Sequence, residues 1–570
     1  MGIPSIAFYL LKGYHFSMLG TDFKTKLSSL YGDKQGALLF QKIKLLLKDF
    51  KAYRNSNPPA LWDEKDIALI TYADAFSDKK KGSLQVLQTF LKQYIQDRFS
   101  IVHILPFAPY SSDRGFSIID HKKVKKEFGS WKDISNIAAQ YRLMIDLVSN
   151  HVSVQHRWFQ ALLRGSDKYE DYFIWYPPNA LPSEEAIKNV RRGRAAPLLN
   201  PFTTSKGVRY LWSTYSVGNI IDQIDLNYHN PIVLLEMVKI LLFYLSMNVS
   251  ILRFDGIGGL WKELGTNCKH LPQNHLIASV FRDILNGVRS NTLMFTETTT
   301  ASITENSSYL SEEEAHAVYN FSLAPLVLFS LYTGSTTKLS AFAQNMKVQK
   351  GNTYFNILDI HDGINMYSVS SELEPQELEV IYNNAKQKGA VFSYRKLPNG
   401  DTSIKEMHMT WWSALNEGSN QPFEIQLRKF LTTRAVALSL KGVPGIYYLS
   451  LFGTKNDVDA YTKSNHGRDM NRTKISYPEI VTQLSKPQSK EAKIFNGLMA
   501  LLEKRKSLTA FHPDAEQEIV TLDSRLFSLV RGAGKDKVLA LHNLSADTVN
   551  VTYLRRTYAL EPYSYIWQEL

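Results

Sequence analysis

"VSILRFDG", residues 249–256, reads as a short strand buried on both faces, yet it seats Arg253 two positions before Asp255. Side chains alternate along a strand, so the two charges share one face and are placed to pair with each other. Upstream lies "PIVLLEMVKILLFYLSM" (231–247), an apolar run interrupted by Glu236 and Lys239, which reads as a buried amphipathic helix and not as a membrane span. Downstream comes a second helical stretch, "QNHLIASVFRDILNGV" (273–288), and then another apolar strand, "TLMFTET" (292–298). Helix, strand, helix, strand is the rhythm of a sheet whose strands run parallel.

The same rhythm extends in both directions. Toward the N-terminus it runs through "DIALITYA" (66–73), the helical "LQVLQTFLKQYIQD" (84–97), "SIVHILPF" (100–107), the helix around "WKDISNIAAQY" (131–141) and "RLMIDLVSNH" (142–151). Toward the C-terminus "NTYFNILDIHDG" (352–363) and "GVPGIYYLS" (442–450) continue it. About eight such units close on themselves, so the predicted class is α/β, a (β/α)8 TIM barrel over residues 66–507. Residues 152–228 and 363–425 break the rhythm and are expected as a domain B insertion and a lid subdomain. From 508 to 570 the pattern turns to short antiparallel strands, a C-terminal β domain. Residues 1–65 are expected as an N-terminal helical extension, with "QGALLFQKIKLLLKDF" (35–50) apolar along one face and "NSNPPA" (55–60) as its breaker.

Bulk properties remove several function classes. The net charge of +12 comes from 66 basic and 54 acidic residues that are interleaved and not gathered in blocks, so it serves solubility and not nucleic-acid binding. One cysteine, Cys268, excludes an intramolecular disulfide and a cysteine-rich metal site, as expected of a cytoplasmic protein. The start, "MGIPSIAFYLLKGYHF", has an apolar patch without a basic leader or a cleavage signal, and Met18 offers a second initiator.

Catalytic groups of a barrel lie at the C-terminal ends of its strands. Four acids occupy such positions: Asp146, Asp255, Glu297 and Asp362. A single strand-end acid commonly caps a helix or pairs with an arginine, but four in succession converge on one pocket. Chemistry that uses such a set is glycosyl transfer with retention, in which one carboxylate attacks the anomeric carbon and a protonated acid about 5 Å away assists the leaving oxygen. Arg253 is expected to keep Asp255 ionised and oriented at neutral pH.

"DLVSNH", "RFDGIG", "TET" and "IHDG", in that order and spacing, resemble the four short motifs of the α-amylase superfamily, glycoside hydrolase family thirteen. "VHILPFAPYSSDRGFSIIDH", "LWKELGTNCKHLP", "GVPGIYYLSLFGTKND" and "HGRDMNR" are similar to its sucrose phosphorylase branch, and "LWDEKDIALITYAD" with "YNFSLAPLVL" is most similar to the glucosylglycerate phosphorylase members. The resemblance implies Asp255 as nucleophile, Glu297 as general acid/base and Asp362 as the group that binds sugar hydroxyls and stabilises the transition state. It implies that Arg253 orients the nucleophile, that His151 and His361 bind the glucosyl unit, and that Phe116 is an apolar wall. Asp113 and Arg468 would pair near the sugar 4-hydroxyl, and Gln223 would lie near the acceptor. The branch works without metal or cofactor, with inorganic phosphate as co-substrate.

A phosphorylase differs from a hydrolase in letting phosphate attack the glucosyl-enzyme, which calls for cationic donors at the open face. "NVRRGRAAPLLNPFTT" (189–204) supplies them, and its likeness to the family's Arg-x-Arg segment points to Arg192 and Arg194. Departures fall on the acceptor side. Sucrose phosphorylases carry a tyrosine four residues after the nucleophile and a histidine two after the acid/base, where this chain has Gly259 and Thr299. Lys405, in "IKEMHM", stands near the place of a tyrosine in the glucosylglycerate enzymes, and "YSVGNIIDQIDLN" (215–227) is longer than usual. The implied activity is phosphorolysis of a small α-glucoside, with glucosylglycerate first and glucosylglycerol, sucrose or sucrose 6-phosphate as alternatives. A glucosidase or transglucosidase, and a silent sugar-binding protein, are the competing readings. The expected state is a monomer or homodimer without nucleic-acid or membrane partners, and His103, His121 and His156 are expected to be structural.

Overall fold

A computed structural model describes residues 21–50, 60–194, 196–216, 221–397 and 399–570. The calls on the first residues and on Met18 lie outside them, as do nearly all of the "NSNPPA" breaker and the middle of the long 215–227 segment. Eight strands form a closed parallel barrel in chain order: β1 Ala68–Thr71, β2 Ile101–Ile104, β3 Arg142–Val148, β4 Ile251–Asp255, β5 Leu293–Thr296, β6 Ala317–Asn320, β7 Thr353–Ile357 and β8 Val443–Tyr447. Their residues are almost all buried, because helices cover the outside and side chains fill the inside. β6 is the strand that the sequence pattern does not yield. Its four residues run directly into the apolar helix Leu323–Thr333, and only Phe295↔Ala317 and Thr296↔Val318 pair it with β5.

Local chemistry sets the helix that delivers β4. Asn230 accepts a hydrogen bond from the Ile232 amide as its N-cap, Pro231 opens the first turn, and Pro231–Ser246 is buried along most of its surface. Among the described residues no helix is long and apolar enough to cross a membrane. The N-terminal helix Thr21–Asp49 packs on Pro231–Ser246 and on Pro272–Val288, where Lys26 meets Asp283 at 3.0 Å. It is broken at Gly32, whose φ of 75° only glycine adopts without strain.

Two loops at the C-terminal face are large. Between β3 and β4 lie a three-stranded antiparallel sheet (Trp175–Tyr176, Gly207–Trp212, Leu199–Thr204) and the short pair His151–Ser153 with Gln223–Asp225. After β7 comes a second three-stranded sheet (Ile364–Asn365, Thr402–His408, Val391–Lys396) and the helix Pro375–Gln387. Past the barrel, Gln517–Ile519, Leu526–Arg531, Val538–Asn543 and Tyr565–Glu569 form a four-stranded antiparallel sheet, beside the hairpin Val549–Tyr553 with Arg556–Leu560. Buried Arg531 ties this sheet to the barrel side by donating to the Ser439 and His512 carbonyls.

Candidate active site

The floor of the site is a chain of charges across β2, β3 and β4. Register pairs Arg253 with Asp146, and the Arg253 guanidinium donates to Asp146 and, at 2.7 Å, to Asp255 Oδ1. Behind them His103 Nε2 lies 2.8 Å from Asp146 Oδ2. The other arm of Arg253 reaches Glu297 Oε2 at 3.8 Å, and the amide of Gly256 donates to that oxygen at 3.0 Å. Gly256 has φ 63°, the turn that ends β4 and aims this amide. One buried guanidinium therefore joins the carboxylates of Asp255 and Glu297.

The charge on Arg253 does not settle the ionisation of Asp255 in the way its position in sequence implies. Burial opposes the carboxylate most strongly, Arg253 favours it, and the nearby Glu297, Asp146 and Asp362 oppose it again, so the Asp255 carboxyl is pushed up to about 7. Arg253 thus favours the charge, as its position in sequence implies, while burial and the crowding of acids work against it. Asp146 is the one that Arg253 and His103 hold below the usual carboxylate range, against its burial.

The walls come from three loops. After β2 the chain doubles back through Asp113 and Arg114, both at positive φ, and Gly115 at φ 117°. A side chain at 115 would meet the Pro106 carbonyl at 2.3 Å, so only glycine lets the loop close and present Asp113 and Phe116. The Phe116 ring stacks on His361 with centroids 4.7 Å apart, and its carbonyl lies 3.1 Å from His151 Nε2. Asp362 lies five residues past the end of β7, on the loop and not at the strand end, with Oδ1 at 2.7 Å from Arg468 and 3.1 Å from His361 Nε2. Arg468 also meets Asp113 at 3.1 Å, and Arg472 meets Asp113 at 3.0 Å. Burial works against the Asp113 charge, but Arg468 and Arg472 outweigh it and hold the carboxyl well below the usual range. His361 is driven well below the usual imidazole range by burial and by Arg472, Arg253 and Arg468, and burial lowers His151 too. Burial thus disfavours a charge on either ring, which suits a pocket for uncharged hydroxyls.

Asp113, Phe116, His151, Arg194, Gln223, Asp255, Glu297, Thr299, His361, Asp362, Lys405 and Arg468 line one pocket that opens to solvent. Arg253 lies beneath it. Gln223 Nε2 approaches Asp113 Oδ2 at 3.5 Å. Arg192 does not line this pocket but faces an adjoining chamber that shares Tyr215, Thr299 and Lys405 with it. His121 bonds the Val148 carbonyl and His156 caps a helix through its bond with the Trp158 amide, both structural tasks.

The sequence pattern did not single out four residues that the geometry brings in. Glu406 is buried and receives Arg194 at 3.1 Å, Lys405 at 2.7 Å and Arg468 at 3.3 Å, so Arg194 and Lys405 are not free cations. Burial opposes its charge, yet Arg468, Lys405 and Arg194 hold it well below the usual range. Arg472 sits four residues past Arg468 in the same motif, and Glu406 adjoins Lys405, so both carry a local signal in the sequence. Tyr215 and Lys269, 2.7 Å apart, meet across the domain B and β4 loops and carry no local signal. Among the described residues no cluster of three or more His, Cys, Asp or Glu side chains is placed to hold a metal ion.

Known proteins resemble this chain in sequence and in fold. Residues 71–379 match the model of the alpha amylase catalytic domain. Over 556 residues the chain is 36% identical to a glucosylglycerate phosphorylase of Spirochaeta thermophila, covering 95% of this chain and 92% of the relative. It is also 36% identical, over 535 residues, to a glucosylglycerate phosphorylase of Escherichia coli, covering 93% of this chain and 94% of that one. The crystal structure of sucrose 6F-phosphate phosphorylase from Thermoanaerobacter thermosaccharolyticum shares the fold, with a TM-score of 0.74 at 24% identity over 88% of this chain and all of that one. The chain belongs to the alpha-amylase family and, within it, to the group of enzymes that contains the glucosylglycerate phosphorylases.

Proposed function

We propose that the protein is a retaining α-glucoside phosphorylase that converts 2-O-α-glucosylglycerate and phosphate into α-glucose 1-phosphate and glycerate. The observation that carries the reading is the pair Asp255 and Glu297, joined through Arg253 at the floor of a pocket that Asp113, Asp362 and Arg468 close on one side. In the first half-reaction an Asp255 oxygen attacks the anomeric carbon, the bond from that carbon to the glycerate oxygen breaks, and Glu297 gives that oxygen its proton. In the second, a phosphate oxygen attacks the same carbon and releases Asp255, while Glu297 takes up the proton that phosphate gives up. The productive arrangement puts the proton on Glu297 and the charge on Asp255, which Arg253 favours.

Asp362, fixed by Arg468 and His361, faces the hydroxyls and the charge that develops on the sugar ring. His151 and His361 bind the glucosyl unit as neutral rings, and Phe116 supports its apolar face. The Asp113–Arg468 pair closes the pocket to longer chains. On the acceptor side Gln223, Thr299, Arg192, Arg194 and Lys405 face the leaving group and then phosphate, with Glu406 holding Arg194 and Lys405 in place. Glycerate is favoured over a neutral acceptor because, among the described residues, the adjoining chamber is lined by cations and by no acid. The relatives of the same size that are named for glucosylglycerate support this choice. The reaction runs on the chain's own side chains with phosphate as co-substrate. We place the enzyme in the cytoplasm, in keeping with a buried, unpaired Cys268, as a monomer or homodimer.

The test supplies α-glucose 1-phosphate with glycerate, glycerol, fructose or fructose 6-phosphate and measures phosphate release. Glycerate is expected to give the highest kcat/KM. Release without acceptor at the rate seen with the best one identifies a hydrolase instead, and no turnover with any acceptor identifies a silent binding protein.

A further inference from the structure

The donor pocket balances its own charges. Arg468 and Arg472 face Asp113 and Asp362, and Arg194 and Lys405 face Glu406. The adjoining chamber does not. Arg191 pairs with Glu305 at 2.7 Å, but Arg192, Lys269 and Arg395 have no carboxylate within ion-pair distance among the described residues, and no Asp or Glu lines the chamber. Their partners are neutral: the Ala196 carbonyl for Arg192, the Tyr215 hydroxyl for Lys269, and the Ser403 hydroxyl and Tyr367 ring for Arg395.

Lys269 owes its position to a missing side chain. A Cβ on Gly259 would come 2.4 Å from Lys269 Nζ and 3.2 Å from its Cε. Gly259 is not among the glycines with positive φ, so its backbone does not demand glycine, and the three atoms nearest to such a Cβ all belong to Lys269. The ammonium is thereby seated on Tyr215, whose hydroxyl lies 3.3 Å from where a Cβ of Gly256 would be, beside the nucleophile. In a double displacement the incoming group enters by the face from which the first group left, so acceptor and phosphate occupy the same chamber in turn.

We propose that Lys269, seated by the absent side chain of Gly259 and flanked by Arg192 and Arg395, is the anion-recognising residue of the acceptor side, holding the carboxylate of a small acid acceptor in one half-reaction and inorganic phosphate in the other. This rests on the reading of the enzyme as a phosphorylase with an acidic acceptor. An ammonium suits the double use because it is a compact donor that imposes no planar geometry, unlike a guanidinium. Burial and the nearby Lys262 lower the lysine to about 8, against the pull of Asp225 and Glu297, which leaves it mostly charged at neutral pH and in need of an anion.

The experiment compares the unaltered enzyme with Lys269→Met, Lys269→Arg and Gly259→Ala. KM is measured for glycerate and for glycerol with α-glucose 1-phosphate, and for phosphate in phosphorolysis of glucosylglycerate. Lys269→Met is expected to raise KM at least tenfold for glycerate and for phosphate, and to lower the ratio of kcat/KM for glycerate over glycerol by at least tenfold. Lys269→Arg should recover part of both. Gly259→Ala should shift both in the same direction as Lys269→Met although the lysine is present, because the methyl group displaces the ammonium. An unchanged KM for glycerate in Lys269→Met, or an equal loss with glycerol, overturns the proposal. A rise for phosphate alone overturns its acceptor half. Failure of the unaltered enzyme to use glycerate overturns the acceptor reading itself, a result distinct from failure of the variants alone.

Discussion

Replacing the nucleophile by its uncharged isostere, Asp255→Asn, tests the chemistry and its energetic cost together. Folding pushes this carboxyl from 3.8 up to about 7, chiefly through burial. A carboxyl whose folded value lies above its unfolded value takes up a proton on folding. It opposes folding in full above the folded value, and the opposition fades as the pH falls toward the unfolded one. At about 1.4 kcal/mol for each pH unit between the two values, the cost is ~4 kcal/mol at pH 8 and under ~2 kcal/mol at pH 5. Asparagine keeps the shape and never carries the charge, so the variant should be the more stable protein at pH 8. For a chain of this length, with an unfolding entropy of about 2 cal/mol/K per residue, 1 kcal/mol moves Tm by roughly 1 °C. Thermal unfolding should therefore show a gain of about 3–4 °C at pH 8 that shrinks to about 1–2 °C at pH 5. Transfer from α-glucose 1-phosphate should fall by about four orders of magnitude or more in the same variant, as expected when a covalent nucleophile is removed. No gain in Tm, or the same gain at both pH values, would refute the raised carboxyl. Retained transfer would remove Asp255 as the nucleophile.

Two further outcomes follow from the loops. Gly115→Ala forces a methyl group to within 2.3 Å of the Pro106 carbonyl at a φ of 117°, so the turn reopens and withdraws Asp113 and Phe116; kcat/KM should fall by about 100-fold or more, as it does for small misplacements of binding groups, with a far-ultraviolet circular dichroism spectrum that stays unchanged. Glu406→Gln leaves Arg194, Lys405 and Arg468 buried without their common anion, a loss of about 3–5 kcal/mol for a broken buried ion pair. Because Glu406 is held below its ordinary 4.5, its contribution is present at neutral pH and is lost as the pH falls through its folded value. The Tm gap between the two proteins should thus narrow in acid, and a gap that widens would contradict the assignment.

The barrel was legible because its strands and helices differ in period over segments long enough to count. β4 and its flanking helices carry that signal in under sixty residues, Pro231 to Val288. β6 was not legible, since four residues that continue straight into an apolar helix have no period of their own. Strand-end acids were legible for the same reason as the strands: Asp255 and Glu297 fall where a short apolar run ends and a turn begins. Their ionisation was not, because it depends on how many acids converge from separate strands. Asp146, Glu297 and Asp362 surround Asp255 from three different segments, and no local reading sums their fields. Lys269 was hidden likewise: it becomes functional only through the space that Gly259 leaves ten residues earlier and through Tyr215 on another loop.

The charges of the two chambers determine what kind of molecule completes the site. Buried ion pairs contribute little net stability, since the attraction is largely consumed by desolvation. Their use here is to fix positions. Asp113 and Asp362 hold Arg468 and Arg472, and Glu406 holds Arg194 and Lys405, so the donor pocket presents hydroxyl partners in fixed places without asking its ligand for charge. A neutral glucosyl unit suits it. Next door, Arg192, Lys269 and Arg395 are desolvated in part and, among the described residues, have only neutral partners, so each retains an unmet electrostatic demand. A neutral acceptor would leave that demand in place, and water would leave it only partly met. An acid or a phosphate satisfies it, which favours both partners of a phosphorylase over the water of a hydrolase at the moment the glucosyl-enzyme is open to attack.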